Sequence, residues 1–110
     1  MKTYPDDADG MTLKRIADSG SDMGCSMVID FTVVAPNQEI GTRIELVLNR
    51  KYQLGNVYYD DELNEWSVVI AIEMIPDYSK LLLIQSEIQG LVEPLGGTLD
   101  GWGSYGNSSG

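Results

Sequence analysis

The chain has no histidine, one cysteine, one phenylalanine and only seven lysines and arginines in 110 residues. Without an imidazole, Ser-His-Asp and Cys-His catalysis and histidine-based zinc sites are excluded within the chain. The lone Cys25 closes no internal disulfide. With no cation or second cysteine beside it in sequence to lower its pKa, it reads as an ordinary residue at a strand entrance and not as a catalytic thiol. No uninterrupted apolar run approaches the ~20 residues of a membrane span. Met1-Lys2-Thr3-Tyr4-Pro5-Asp6-Asp7 offers one cation and then turns acidic, unlike a secretory leader, so a cytoplasmic location is expected. Seventeen Asp plus Glu against seven Lys plus Arg leave a net charge of -10 at pH 7. That charge repels nucleic-acid phosphates and anionic membranes, which argues against direct binding to either. Solubility alone accounts for such a charge; the functional reading is that it draws a basic protein partner.

What is present is a single core's worth of apolar residues, 43% of the chain, arranged in alternating periods of two and of three to four. Asp6 or Asp7 is placed to cap a first short helix carrying Met11, Leu13, Ile16 and Ala17, and Ser19-Gly20-Ser21-Asp22 stops it. Asp6, Asp7 and Asp9 lack the following Glu of a calcium loop, so capping is preferred to metal binding. In 27–35, Met27, Ile29, Phe31 and Val33 alternate with Val28, Asp30, Thr32 and Val34, a half-buried strand ended by Pro36. Asn37 caps an amphipathic helix expected to run to about Lys51, with Ile40, Ile44, Val47, Leu48 and Tyr52 on one side. Gln53 to Asp60 and Trp66 to Ile75 form a long hairpin across the polar loop Asp60-Asp61-Glu62-Leu63-Asn64-Glu65. Both faces of the return strand are fairly apolar, which places it centrally. Pro76-Asp77 opens a last helix bearing Tyr78, Leu81, Leu82, Ile84, Ile88, Leu91 and Val92, up to Pro94.

The organising stretch is the glycine-rich segment from Leu95 to Tyr105, which sets Trp102 between Gly101 and Gly103. It is expected to be a closing strand, with Leu99 and Trp102 toward the core and glycines that let neighbours lie close; the alternative is a Gly/Ser tail from Gly96. A leading helix followed by β-α-β-β-α-β specifies an α+β, ferredoxin-like split βαβ fold: a four-stranded antiparallel sheet with two helices on one face. The extra N-terminal helix covers either a sheet edge or part of the open face. Residues 1–105 are expected to form a single domain, with 106–110 a flexible tail.

Tyr4-Pro5-Asp6-Asp7-Ala8-Asp9-Gly10 and Leu99-Asp100-Gly101-Trp102-Gly103-Ser104-Tyr105, together with the βαββαβ order, resemble the ribonuclease E inhibitor family, also called regulator of ribonuclease activity B. Asp-Gly-Trp-Gly, followed by Ser/Thr and an aromatic residue, is the most specific part. The resemblance implies a small bacterial cytoplasmic protein, not itself an enzyme, that binds the endoribonuclease of RNA degradation and lowers its activity. No catalytic residue, metal or cofactor is expected. The expected partner is endoribonuclease E or its degradation scaffold, met by carboxylates that compete with RNA phosphates for its cations. The electrostatic candidates are Asp6, Asp7 and Asp9, or Asp60, Asp61, Glu62 and Glu65. Trp102 and Tyr105 are candidate aromatic anchors, against a core-filling role for Trp102.

Other classes fit less well. An acylphosphatase-like enzyme needs a glycine-rich phosphate loop with a nearby Arg after the first strand, and Val34-Ala35-Pro36-Asn37-Gln38 has neither. An RNA-recognition module needs exposed aromatics on the central strands, where Asp30, Thr32, Ser67 and Glu73 stand instead. The alternative retained is a dimeric regulatory or small-ligand-binding module using the open sheet face, where Val28, Val34, Val69 and Ala71 make a dimer or helix-docking surface.

Overall fold

The computed structural model describes residues 6–60, 62, 64–104 and 106–107, excluding the side chains of 53–56 and 60. Tyr4, Pro5, Asp61 and Tyr105, which the sequence reading singles out, lie outside the described residues. The elements in order are α1 (Ala8–Asp18), β1 (Met27–Ala35), α2 (Gln38–Asn49), β2 (Gln53–Asp60), β3 (Glu65–Met74), α3 (Tyr78–Val92) and β4 (Thr98–Gly103). The four strands lie in the order β2-β3-β1-β4, with every neighbouring pair antiparallel. This is the α+β, ferredoxin-like layout expected from the element order.

Local sequence explains most of the boundaries. Asp7, extended at φ -124°, accepts from the Gly10 N–H at 2.8 Å and starts α1; Asn37 does the same for α2 through the Ile40 N–H at 2.9 Å. Both side chains satisfy a donor that a helix start leaves unpaired. α2 ends at Asn49, two residues short of the expected Lys51. Asp77 precedes α3 without a side-chain cap bond. The closing strand is shorter than the expected 95–105. After Val92 the chain tightens into a 3-10 turn over Glu93–Leu95, and Gly96 at φ 97° ends it in the left-handed region that glycine tolerates. Leu95 therefore belongs to that turn, and pairing begins at Thr98.

The core lies between the sheet and the helices. Ile29, Phe31 and Val33 from β1, Val68 and Ile70 from β3, Ile44 and Leu48 from α2, and Leu81, Ile88 and Val92 from α3 are fully buried. Burying side chains of this size contributes about 1.5 to 3 kcal/mol each, and no polar side chain is buried with them among the described residues. Leu13 and Ile16 of α1 join the same cluster, so the extra helix sits on the helical side of the sheet and not on its open face. Gly97 is where close approach demands a glycine: a Cβ there would overlap Ile44 Cδ1 and stand 3.2 Å from Val92 Cβ. At Gly101 and Gly103 the expected close neighbours within the chain are absent, because a Cβ would meet nothing within 4 Å.

Candidate functional site

The two end motifs meet. β4 pairs with β1 as Asp30↔Gly103, Phe31↔Trp102, Thr32↔Gly101 and then Val33↔Leu99, so Asp100 is an extra residue where the register shifts. In a regular strand Leu99 and Trp102, three apart, would point to opposite faces. The bulge turns the strand by one position, and both stand opposite inward-facing residues of β1. Gln89 Oε1 of α3 accepts the Leu99 N–H at 2.8 Å beside this irregularity.

Trp102 is half-buried, and its indole Nε1–H donates to Asp9 Oδ1 at 2.6 Å. Gln85 Nε2 donates to the same oxygen at 3.2 Å. Asp9 of α1 thus ties the first helix to α3 and to the last strand. Two residues earlier, Asp7 carries both the helix cap and an accepted bond from the Tyr78 hydroxyl. The Tyr78 bond, followed by the Gly10 N–H, holds the Asp7 carboxyl below its ordinary range, while Asp7 pushes the Tyr78 phenol up. Asp6 precedes these two and is exposed. Of the three N-terminal carboxylates proposed from sequence for a partner, two already receive donors from within the fold.

Ser104 and Asn107 also bond to the segment between α1 and β1 and to the start of β1. Ser104 Oγ donates to the Val28 carbonyl at 2.7 Å. Asn107, inside the stretch read as a tail, accepts the Asp22 N–H at 2.7 Å and donates to the Asp22 and Ser26 carbonyls at 2.9 and 3.2 Å. Cys25 lies in this loop beside Asp22, which pushes its thiol pKa up and so lowers its thiolate fraction.

Asp60, Glu62 and Glu65 lie where edge strand β2 turns into β3, across the sheet from edge strand β4. The register sets Asp60 opposite Glu65. Glu62 is exposed at the turn, and Asn64 adopts φ 54° and accepts from the Tyr59 hydroxyl at 2.7 Å. Tyr59 packs edge-on against Trp66, ring centres 5.0 Å apart, which stiffens the base of this loop. The structure therefore brings Asp7, Asp9 and Trp102 together and leaves the hairpin group apart from them.

On the open face, β1 and β4 border two shallow depressions. One, of about 460 Å³, is lined by Asp30, Thr32, Asp100, Gly101 and Gly103 among others. The other, of about 440 Å³, is lined by Val34, Pro36, Asn64, Glu65 and Thr98 among others. The sequence reading placed Asp30 and Thr32 on the polar face without assigning them a role and left Asp100 inside its motif. The available signal was the pair of glycines around Trp102. No group of three or more potential metal ligands occurs among the described residues.

Fold and site together define a ferredoxin-like α+β module whose added first helix is tied to its closing strand. A family model described as regulator of ribonuclease activity B matches residues 6–104, and the chain belongs to that family. The matched range contains both the Asp7 cap and the Asp-Gly-Trp-Gly strand. No curated protein matches the chain. No helix among the described residues is long and apolar enough to cross a membrane.

Proposed function

We propose that this chain is a non-enzymatic cytoplasmic regulator that binds endoribonuclease E, or the scaffold of its RNA-degrading assembly, and inhibits RNA cleavage. The family match over residues 6–104 carries this reading. The net charge of -10 supplies a physical route: carboxylates occupy cations that would otherwise hold RNA phosphates, and the contact weakens as salt rises. The proposed contributors are Asp6, Asp7 and Asp9 on one side and Asp60, Asp61, Glu62 and Glu65 on the other, with Trp102 and Tyr105 as aromatic anchors. Asp7 and Asp9 already hold donors within the fold, so a partner's cations would compete with Tyr78, Gln85 and Trp102 for them.

The test is RNA cleavage by the host's ribonuclease E with and without the protein, alongside a pull-down at low and high salt. Slower cleavage and salt-sensitive capture are expected. Unchanged cleavage with no capture at low salt sinks the proposal.

A further inference from the structure

We propose that the open sheet face along β1 and β4 is the docking surface for an extended, arginine- or lysine-rich segment of a protein partner, laid over Gly101 and Gly103 between Asp30 and Asp100. The inference rests on the regulator reading above and names a surface and a ligand chemistry for it.

The first observation is that no described residue crowds Gly101 or Gly103. Neither takes a positive φ, and a Cβ at either would meet nothing within 4 Å. Two glycines in a six-residue strand weaken it. Gly101 borders the bulge at Asp100, but no positive φ and no crowding by the described residues accounts for both glycines, and together they leave a floor that a backbone or a flat cationic group can approach closely from outside.

The second observation is charge. Strands β1 to β4 contain Asp30, Asp60, Glu65, Glu73 and Asp100 but no lysine or arginine. The six described cations, Lys14, Arg15, Arg43, Arg50, Lys51 and Lys80, lie in helices or directly after α2. Asp30 and Asp100 border the larger of the two depressions, and among the described residues neither carboxylate receives a hydrogen bond or ion pair. Val28, 47% exposed, and the half-exposed Val34 and Val69 continue the same face as its apolar part. Carboxylates flanking a side-chain-free floor match an extended cationic segment, whose alternate residues reach the acids and the apolar patch. A second copy of this chain would set like charge against like, and RNA would bring phosphates to carboxylates.

The test is titration of the full ¹⁵N-labelled chain with a short peptide of alternating arginine and valine at low salt, read by amide shifts and by affinity. Shifts are expected to centre on Thr32, Gly101 and Gly103. Gly101→Val/Gly103→Val should fold with an unchanged or raised Tm, since the space is open, yet bind about tenfold or more weakly; Asp30→Asn/Asp100→Asn should weaken binding similarly. Glu39→Gln/Glu45→Gln removes the same charge from α2 and should change affinity less than about twofold. Shifts centred elsewhere, or equal weakening by the α2 control, overturn the assignment. The same variants against ribonuclease E separate the two readings. Wild type and trough variants inhibiting equally would reject the trough and keep the regulator. Peptide docking in the trough without any effect on the ribonuclease would do the reverse.

Discussion

The bond between the Trp102 indole and Asp9 joins residues 93 positions apart in the chain, and its strength can be isolated by a double-mutant cycle. The perturbations are Asp9→Ala, Trp102→Phe and the pair. A hydrogen bond to a charged acceptor contributes about 1.5 to 3 kcal/mol net. The site is only partly buried, and the carboxylate retains Gln85 as a second donor, so the low end, about 1.5 kcal/mol, is expected for the coupling. Trp102→Phe also removes packed apolar surface, but that loss occurs with or without Asp9 and cancels in the cycle. For a domain of 110 residues, about 1.5 kcal/mol corresponds to a shift near 6 °C in Tm. Urea unfolding of the four proteins, followed by far-ultraviolet circular dichroism, gives the coupling directly. In the wild type the Trp102 indole proton should be displaced downfield, and Asp9→Ala should return it, with Trp66 as the internal reference. Single-variant costs that add to within about 0.3 kcal/mol would refute the reasoning, and α1 would then be held by the packing of Leu13 and Ile16 and by the Asp7–Tyr78 and Asp9–Gln85 bonds without help from Trp102.

Other consequences are open to measurement. Gly97→Ala should cost about 1 to 3 kcal/mol from overpacking, and Ile44→Val, which removes the obstructing methyl, should recover part of it; a double variant no better than the sum of the singles would contradict the geometry. Asp7 is held below its ordinary range by Tyr78 and Gly10, and Glu87 by Lys51 and Tyr52. Their stabilisation is present above the unfolded range of about pH 4 and is lost as pH falls through the lower folded values. Asp7→Asn/Glu87→Gln should flatten that acid limb of the stability profile. At the alkaline end, burial followed by Glu87 raises Tyr52, and Asp7 raises Tyr78. Their contribution is intact below about pH 10 and lost as pH climbs through the folded values, which a phenolate absorbance titration reads. Asn107→Ala should speed amide exchange at Asp22, whose N–H it accepts, while leaving β1 protected.

Much of the fold was legible because it depends on short-range pattern. Alternation in 27–35 predicted the buried residues of β1, since a strand exposes successive side chains to opposite sides. Asn37 was readable as a cap from its position ahead of a helical stripe, and the first cap was narrowed to Asp6 or Asp7, of which the fold uses Asp7. The Leu99 and Trp102 orientation was expected, but its cause was not: the odd spacing needs the bulge at Asp100, which exists only through pairing with Thr32 and Val33. The candidate site was harder. Asp7 and Asp9 look from sequence like free acids ahead of or within a solvated helix, and only packing of α1 beside α3 gives them Tyr78, Gln85 and Trp102 as partners.

Charge balance, the absence of imidazole, element order and helix starts were determined by the sequence alone, because each follows from residue type or from neighbours a few positions away. The side of the sheet that α1 covers, the joining of the two end motifs, and the difference between a crowded Gly97 and an unobstructed Gly101 and Gly103 were decided only in three dimensions. Each depends on which distant side chains arrive at the same place, and local periodicity carries no information about that.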